Sequence, residues 1–334
     1  MRRYLTAAFV IAVLVGTFVF VLPRIADYGT VWDILSGVDR RDLLILLGAA
    51  FVNVLTFPPP WMAAVPGLGY GQAMVLTQAS TAASAVLPGG DVVGMGTQYA
   101  MLKGWGFGGQ QAGLAVVVTG VWNQLVNVAF PVSAVLLLSW HGSAPPELRV
   151  AALIGLAVFA LVVSGFVILL AREGHARGLG NLASRMAAWV MGLIGRVRRP
   201  AWGDAAVRFR NQSVQLVRRR WPHLTVATIL GHITVWVVLL AALRAVGIGA
   251  DQVSVVESFA AWSLIRILTA VPITPGGLGV VELGLTGALV GFGGDQEPVV
   301  AAVLAYRVLT MVPPIALGGL CLAIWKRLAP REAA

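Results

Sequence analysis

Runs of about 20 apolar residues, the length a helix needs to cross the hydrocarbon core of a bilayer, recur along this chain. Six stretches qualify, at roughly 5–22, 43–65, 110–139, 148–171, 223–246 and 298–325, each bounded by charged residues, glycine or proline. Two more apolar stretches are broken. One, from about Gln72 to Leu102, is split by Leu87-Pro88-Gly89-Gly90; the other, from about Val253 to Phe292, by Pro272-Ile273-Thr274-Pro275-Gly276-Gly277. Proline removes a backbone donor and glycine loosens the backbone. Groups freed at membrane depth need partners in protein or in a wet cavity. The pattern predicts six full spans and two re-entrant half-helix pairs, at about 72–102 and 253–292. The first run is too long for a signal-peptide core and ends in Pro23-Arg24-Ile25 without a cleavage pattern, so it reads as a retained span.

A different periodicity occupies 172–222. Leu182, Met186, Trp189, Val190, Leu193 and Val197 recur at helical spacing with Arg185 and Arg196 between them, which predicts a basic amphipathic helix lying on a leaflet.

Composition fits an all-α integral membrane protein. The 334 residues are 58% hydrophobic and 11% charged, too little charge to cover a soluble domain. The net charge of +10 does not imply nucleic acid, because eleven of the 24 basic residues, all arginine, fall between Arg172 and Arg220. Such a cluster orients a membrane protein and meets lipid headgroups. It places the 172–222 loop and both termini in the cytoplasm of a multi-pass inner-membrane protein. Arg2, Arg3, Lys103, Lys326, Arg327 and Arg331 fall on the same side, and the outer segments 24–42, 140–147 and 247–252 carry no basic excess.

Cys321 is the single cysteine, and the four histidines form no metal-ligand motif. Gly104-Trp105-Gly106-Phe107-Gly108-Gly109 matches a dinucleotide fingerprint in letters but has no preceding strand. No Walker motif or Ser/His/Asp set appears. No cofactor, metal or enzymatic activity is therefore expected.

The broken segments resemble each other. Pro88-Gly89-Gly90 precedes Gly106-Phe107-Gly108-Gly109-Gln110-Gln111; Pro275-Gly276-Gly277 precedes Gly291-Phe292-Gly293-Gly294-Asp295-Gln296, with a spacing that differs by two residues. Residues 1–147 and 148–334 then form two membrane repeats in a 3+3 inverted arrangement, the first broken pair opening to the cytoplasm and the second to the outside. Inverted repeats with discontinuous helices are a transporter architecture; a duplicated bundle without a transport cycle is the plainer alternative.

The run Arg266-Ile267-Leu268-Thr269-Ala270-Val271-Pro272-Ile273-Thr274-Pro275-Gly276-Gly277-Leu278-Gly279-Val280-Val281-Glu282 resembles the signature of the lysylphosphatidylglycerol synthase transmembrane (flippase-type) domain family. Tyr306-Arg307 followed by Pro313-Pro314 is similar to its last span, and Leu87-Pro88-Gly89-Gly90 to its first-half motif. Where the family carries Gly-Glu and a following Arg, this chain has Asp91. The resemblance implies a bilayer-embedded, lipid-handling domain. Some members add an aminoacyltransferase domain. Here the last expected span runs nearly to Ala334, so aminoacyl transfer is not expected.

Ionisable residues inside a span are costly and default to functional candidates. Arg266, Glu282 and Arg307 lie in apolar surroundings near the second break. Either Arg266 and Arg307 bind a lipid phosphate while Glu282 orients them or competes for them, or a static ion pair clamps the half-helices. Gly276, Gly277 and Gly279 precede a half-helix whose N-terminal N–H groups attract anions, or they form a tight turn. Asp91 follows Pro88, Gly89 and Gly90 and fits an N-cap. Thr119, Asn123 and Asn127 share one face of the third span, with Gln124 beside them, and Thr228 and His232 share one face of the fifth; such stripes join helices or line a pathway. Asn53 and Glu257 are further cases.

The expected function is a lipid flippase or transporter moving a phospholipid or polyprenyl-type headgroup. Its partners would be membrane lipids with anionic headgroups, with a homo-oligomer or a separate lipid-modifying enzyme possible. The rivals are a membrane-embedded enzyme or accessory subunit, with Glu282 as its only good acid or base, and a structural lipid-binding scaffold.

Overall fold

The computed structural model describes residues 27–86, 90–140, 171–193, 202–269 and 277–328, with scattered positions between 153 and 168. Among the described residues the chain is helical, with no strand. The helices are α1 (Tyr28–Ser36), α2 (Arg40–Thr56), α3 (Pro59–Ala64), α4 (Tyr70–Val86), α5 (Gly90–Gly104), α6 (Gly109–Trp140), α7 (Glu173–Leu193), α8 (Gly203–Ala245), α9 (Val255–Thr269), α10 (Val280–Gly291) and α11 (Gln296–Ile324), followed by a 3₁₀ turn at Trp325–Leu328.

Among the described residues four helical stretches are long and apolar enough to cross a membrane: Arg40–Ala64, Gly109–Trp140, Gly203–Ala245 and Gln296–Ile324. They coincide with four of the six expected spans. The expected spans at 5–22 and 148–171 fall outside the continuously described residues. The protein is thus a multi-pass helical membrane protein. Its outer faces are lipid-like: α2 turns Leu44, Ile45, Phe51 and Val52 outward, while Leu46, Ala50 and Asn53, at helical spacing, are buried. Hydrocarbon tails accept the outward side chains as readily as a core would.

The fifth expected span begins 20 residues early. α8 is a single helix of 43 residues that starts at Gly203 and runs through Pro222. At 1.5 Å per residue it is about 65 Å long, roughly twice the hydrocarbon thickness. Its arginine-rich first half packs antiparallel on α7. Arg177 Nη2 meets Asp204 Oδ1 at 3.2 Å, Asn211 Nδ2 donates to Glu173 Oε1 at 3.0 Å, and Gly180 lies so close to Gly203 that a Cβ would come within 2.9 Å of its Cα. Leu182 and Met186 stay exposed, as the expected amphipathic face requires. The rest of that face, Trp189, Val190, Leu193 and Val197, lies outside the described side chains.

The two broken segments become hairpins of short helices. α4 and α5 are joined by Gln98 Nε2 donating to Ser80 Oγ at 3.2 Å, and Gly94 is held against Ser84. α9 packs on α10 in the same way. Their helices have 17, 15, 15 and 12 residues, short of the roughly 20 that span a bilayer. The open end of the first hairpin lies at the C-terminal end of α11, where Trp105 Nε1 donates to the Trp325 carbonyl at 3.0 Å. The open end of the second lies at the N-terminal end of α11, where Gln252 Nε2 donates to Asp295 Oδ2 at 2.8 Å.

Left-handed glycines mark equivalent points in both hairpins. Gly90 and Gly277 have φ of 45° and 67°, and Gly106 and Gly293 have φ of 89° and 115°. Trp105 and Phe292 bond back to Met101 and Ala288, and Phe107 and Gly294 to Leu102 and Leu289, the same αL-type helix ending. Gly106 and Gly293 each lie 18 residues after the proline of the Pro-Gly-Gly run. The two-residue discrepancy seen in the letters comes from pairing Gly106 with Gly291, and in the backbone it disappears.

Packing is exchanged between the halves. α4 lies against α11, α9 lies against α6, and α2 crosses α8. At the α4–α11 crossing a Cβ on Gly318 would strike the Gln78 carbonyl and Ala82. Among the described residues the three buried apolar clusters each draw on both halves of the chain.

Candidate functional site

α9 brings Arg266 to its last turn, just before the second break, and lays it against the polar face of α6. Residues four apart on a helix share a face, so Asn123 and Asn127 meet their partners together. Both lie near the midpoint of the long α6, hence deep in the span. Arg266 Nε and Nη2 both donate to Asn127 Oδ1, at 3.0 and 2.9 Å, and Nη2 also donates to His232 Nδ1 on α8 at 3.0 Å. A guanidinium has no acceptor, so His232 Nδ1 presents its lone pair. His232 Nε2 then carries the proton and donates to Asn123 Oδ1 at 2.7 Å. The network leaves α6 at Asn123, passes through α8 and α9, and returns to α6 at Asn127.

Aromatic rings close the site. Phe57 and Phe130 set their edges against the buried His232, with centroids 6.1 and 6.0 Å away. The Arg266 guanidinium lies 4.9 Å from the centroid of Trp262, one turn earlier on α9. Such a cation–π contact contributes about 0.5–2 kcal/mol. Trp262 is buried, and its Nε1 finds no acceptor among the described residues. A buried unsatisfied donor costs about 1–3 kcal/mol. Pro131 lies inside α6 four residues after Asn127, so the Asn127 carbonyl also lacks its usual helical donor.

A charged pair lies one hairpin helix away. Arg307 Nε on α11 donates to Glu282 Oε1 on α10 at 2.7 Å, with the side chains 13% and 1% exposed. Glu282 Oε2 accepts from the Gly279 N–H at 2.7 Å. Glu282 pairs with Arg307, which α11 presents to α10, while α9 turns Arg266 toward α6 and α8. The Gly279 N–H, for which an outside anion is one of two readings, donates to Glu282. That carboxylate is the anion at the N-terminus of α10.

The remaining candidates separate by position. Gly277 is left-handed at the end of the second break, and Gly276 lies outside the described residues. Gly90 opens α5 and Asp91 lies in its first turn; Pro88 and Gly89 lie outside the described residues. Thr119 bonds back to the Ala115 carbonyl at 2.8 Å, within its own helix. Glu257 forms a capping box with Ser254 at the start of α9. Asn53 does join helices: its Nδ2 donates to Thr234 Oγ1 at 3.0 Å, and Thr56 shares that hydroxyl at 2.7 Å. Trp262, Phe57 and Phe130 do not stand out in the sequence. The i, i+4 spacing of Trp262 and Arg266 is the signal available for the first.

A polar centre built from two spans, α6 and α8, and one hairpin helix, α9, thus lies inside an apolar helical bundle. The chain belongs to the lysylphosphatidylglycerol synthase transmembrane-region family, whose model matches residues 7–318. No curated protein matches it. Family membership points to a membrane function connected with lipids.

Proposed function

We propose that this protein is a lipid transporter that carries the phosphate-bearing headgroup of a phospholipid or polyprenyl-type lipid across the inner membrane, with Arg266 as the residue that holds the phosphate. The observation that carries this reading is the setting of Arg266. It stands in the last turn of α9, beside the second break, where Asn127 and His232 hold its guanidinium against the Trp262 ring. An arginine at mid-membrane costs roughly 2.5–3.5 kcal/mol on insertion scales, and an anionic headgroup would offset that cost. Arg307, clamped by Glu282, positions α10 against α11.

The packing supports an inverted-repeat transport cycle. Exchanging α2 with α8, α4 with α9, α5 with α10 and α6 with α11 turns the α4–α11 contact into the α9–α6 contact. The hairpins also open toward opposite ends of α11. This is the arrangement in which two re-entrant pairs would meet at mid-membrane, and rocking of one repeat against the other would expose the site to alternate sides. The arginine-rich α7–α8 pair is then cytoplasmic, as are both termini. Headgroup transfer by this route breaks no covalent bond and needs no enzymatic step.

The test is reconstitution into liposomes carrying fluorescent phosphatidylglycerol, with bleaching of the outer leaflet by dithionite. Wild-type protein is expected to expose inner-leaflet lipid faster than protein-free liposomes do. Equal rates would remove the transport assignment.

A further inference from the structure

We propose a second binding site, separate from the Arg266 centre: the groove between the start of α6 and the arginine-rich half of α8 binds a phosphate-bearing anion at headgroup depth. The groove has a volume of about 540 Å³. Its polar wall is made by Gln110 and Gln111 from the first turn of α6 and by Gln212, Gln215, Arg219 and Arg220 from α8. Among the described residues no carboxylate lines it. Two guanidinium forks match phosphate oxygens in pairs, and four carboxamides add neutral donors. Gln212, Gln215 and Arg219 recur at i, i+3 and i+7, so one face of α8 presents them together.

Position identifies the kind of anion. Both walls give way to apolar sequence within a few residues, from Ala112 on α6 and from Leu224 on α8. Trp221, beside Arg220, is exposed, as aromatic residues at a membrane–water boundary are. Leu114 and Leu216 supply apolar lining. The groove therefore lies where phosphates stand in a leaflet, at the arginine-rich half of α8 and the first turn of α6, the helices that carry His232 and Asn123 further along. Its occupant is a phosphate group, either of a membrane lipid or of a soluble phosphate ester arriving from the aqueous side. The site does not require the protein to transport anything.

The experiment is native mass spectrometry of the delipidated protein titrated with phosphatidylglycerol. Wild type is expected to retain one lipid more tightly than the rest. Arg219→Gln with Arg220→Gln should weaken that event about tenfold or more, the loss of one charge-assisted bond. Gln111→Trp, which fills the groove without changing charge, should do the same. Arg208→Gln with Arg218→Gln removes two exposed charges of the same helix outside the groove and should leave the event unchanged. Resistance of the bound lipid to millimolar inorganic phosphate assigns the groove to a lipid headgroup; displacement assigns it to a soluble phosphate ester. Wild-type affinity in both groove variants, or an equal loss in Arg208→Gln/Arg218→Gln, overturns the proposal, since the attraction would then be diffuse charge.

Discussion

Arg266 grips one oxygen of Asn127 through two of its nitrogens, at 3.0 and 2.9 Å, across 139 residues of sequence. That fork ties α9 to α6 and sets the orientation of the guanidinium. Asn127→Ala removes a neutral acceptor from a charged donor and is expected to cost about 1.5–3 kcal/mol, read as a lower unfolding temperature in detergent. Asn127→Asp keeps the shape and adds a carboxylate. Its stability should stay closer to wild type while lipid transfer falls, because the new charge competes for the site.

Glu282 and Arg307 should behave as one unit. Removing one partner of a buried pair strands the other and costs roughly 3–5 kcal/mol. Glu282→Ala also loses the bond to the Gly279 N–H. Glu282→Leu combined with Arg307→Leu should recover most of the loss, and the double-mutant cycle should show a coupling above about 0.5 kcal/mol. Additive losses would mean that the 2.7 Å contact is not energetically coupled.

Adjacent glycines of α11 should give opposite results. Gly318 faces the Gln78 carbonyl and Ala82, while a Cβ added at Gly319 would meet nothing within 4 Å. Gly318→Ala is expected to lower stability by about 1–3 kcal/mol through overpacking. Gly319→Ala should be neutral or stabilising by up to about 1 kcal/mol. Thermal unfolding of both variants distinguishes the outcomes.

The left-handed turns are testable in the same way. An L side chain in that region costs roughly 1–2 kcal/mol. Gly106→Ala meets no neighbour, whereas at Gly293 the new Cβ would lie 3.1 Å from the Gln252 carbonyl. Both substitutions should destabilise, Gly293→Ala by the larger amount.

Much of this was legible from residue type and spacing. Glycine and proline in apolar sequence marked both hairpin breaks, and the cost of polar groups in hydrocarbon singled out Arg266, Glu282, Arg307, Asn123, Asn127 and His232. Pairing was not legible. Glu282 is 16 residues from Arg266 and 25 from Arg307, yet helix packing decides for the more distant arginine. The early start of α8 was hidden because hydropathy reports the bilayer, not the helix, and the stretch from Gly203 to Arg220 is helical in water-facing sequence. The Gly-Phe-Gly-Gly letters misled by two residues, since the left-handed backbone position, not the letters, defines the equivalent turn.

The most direct measurement is the rate at which Arg266→Gln exchanges fluorescent phosphatidylglycerol between the leaflets of proteoliposomes, beside wild type and with folding checked by thermal unfolding. A folded variant that falls to the protein-free rate is the predicted result. A folded Arg266→Gln that moves lipid as fast as wild type would contradict the assignment of Arg266 as the headgroup anchor.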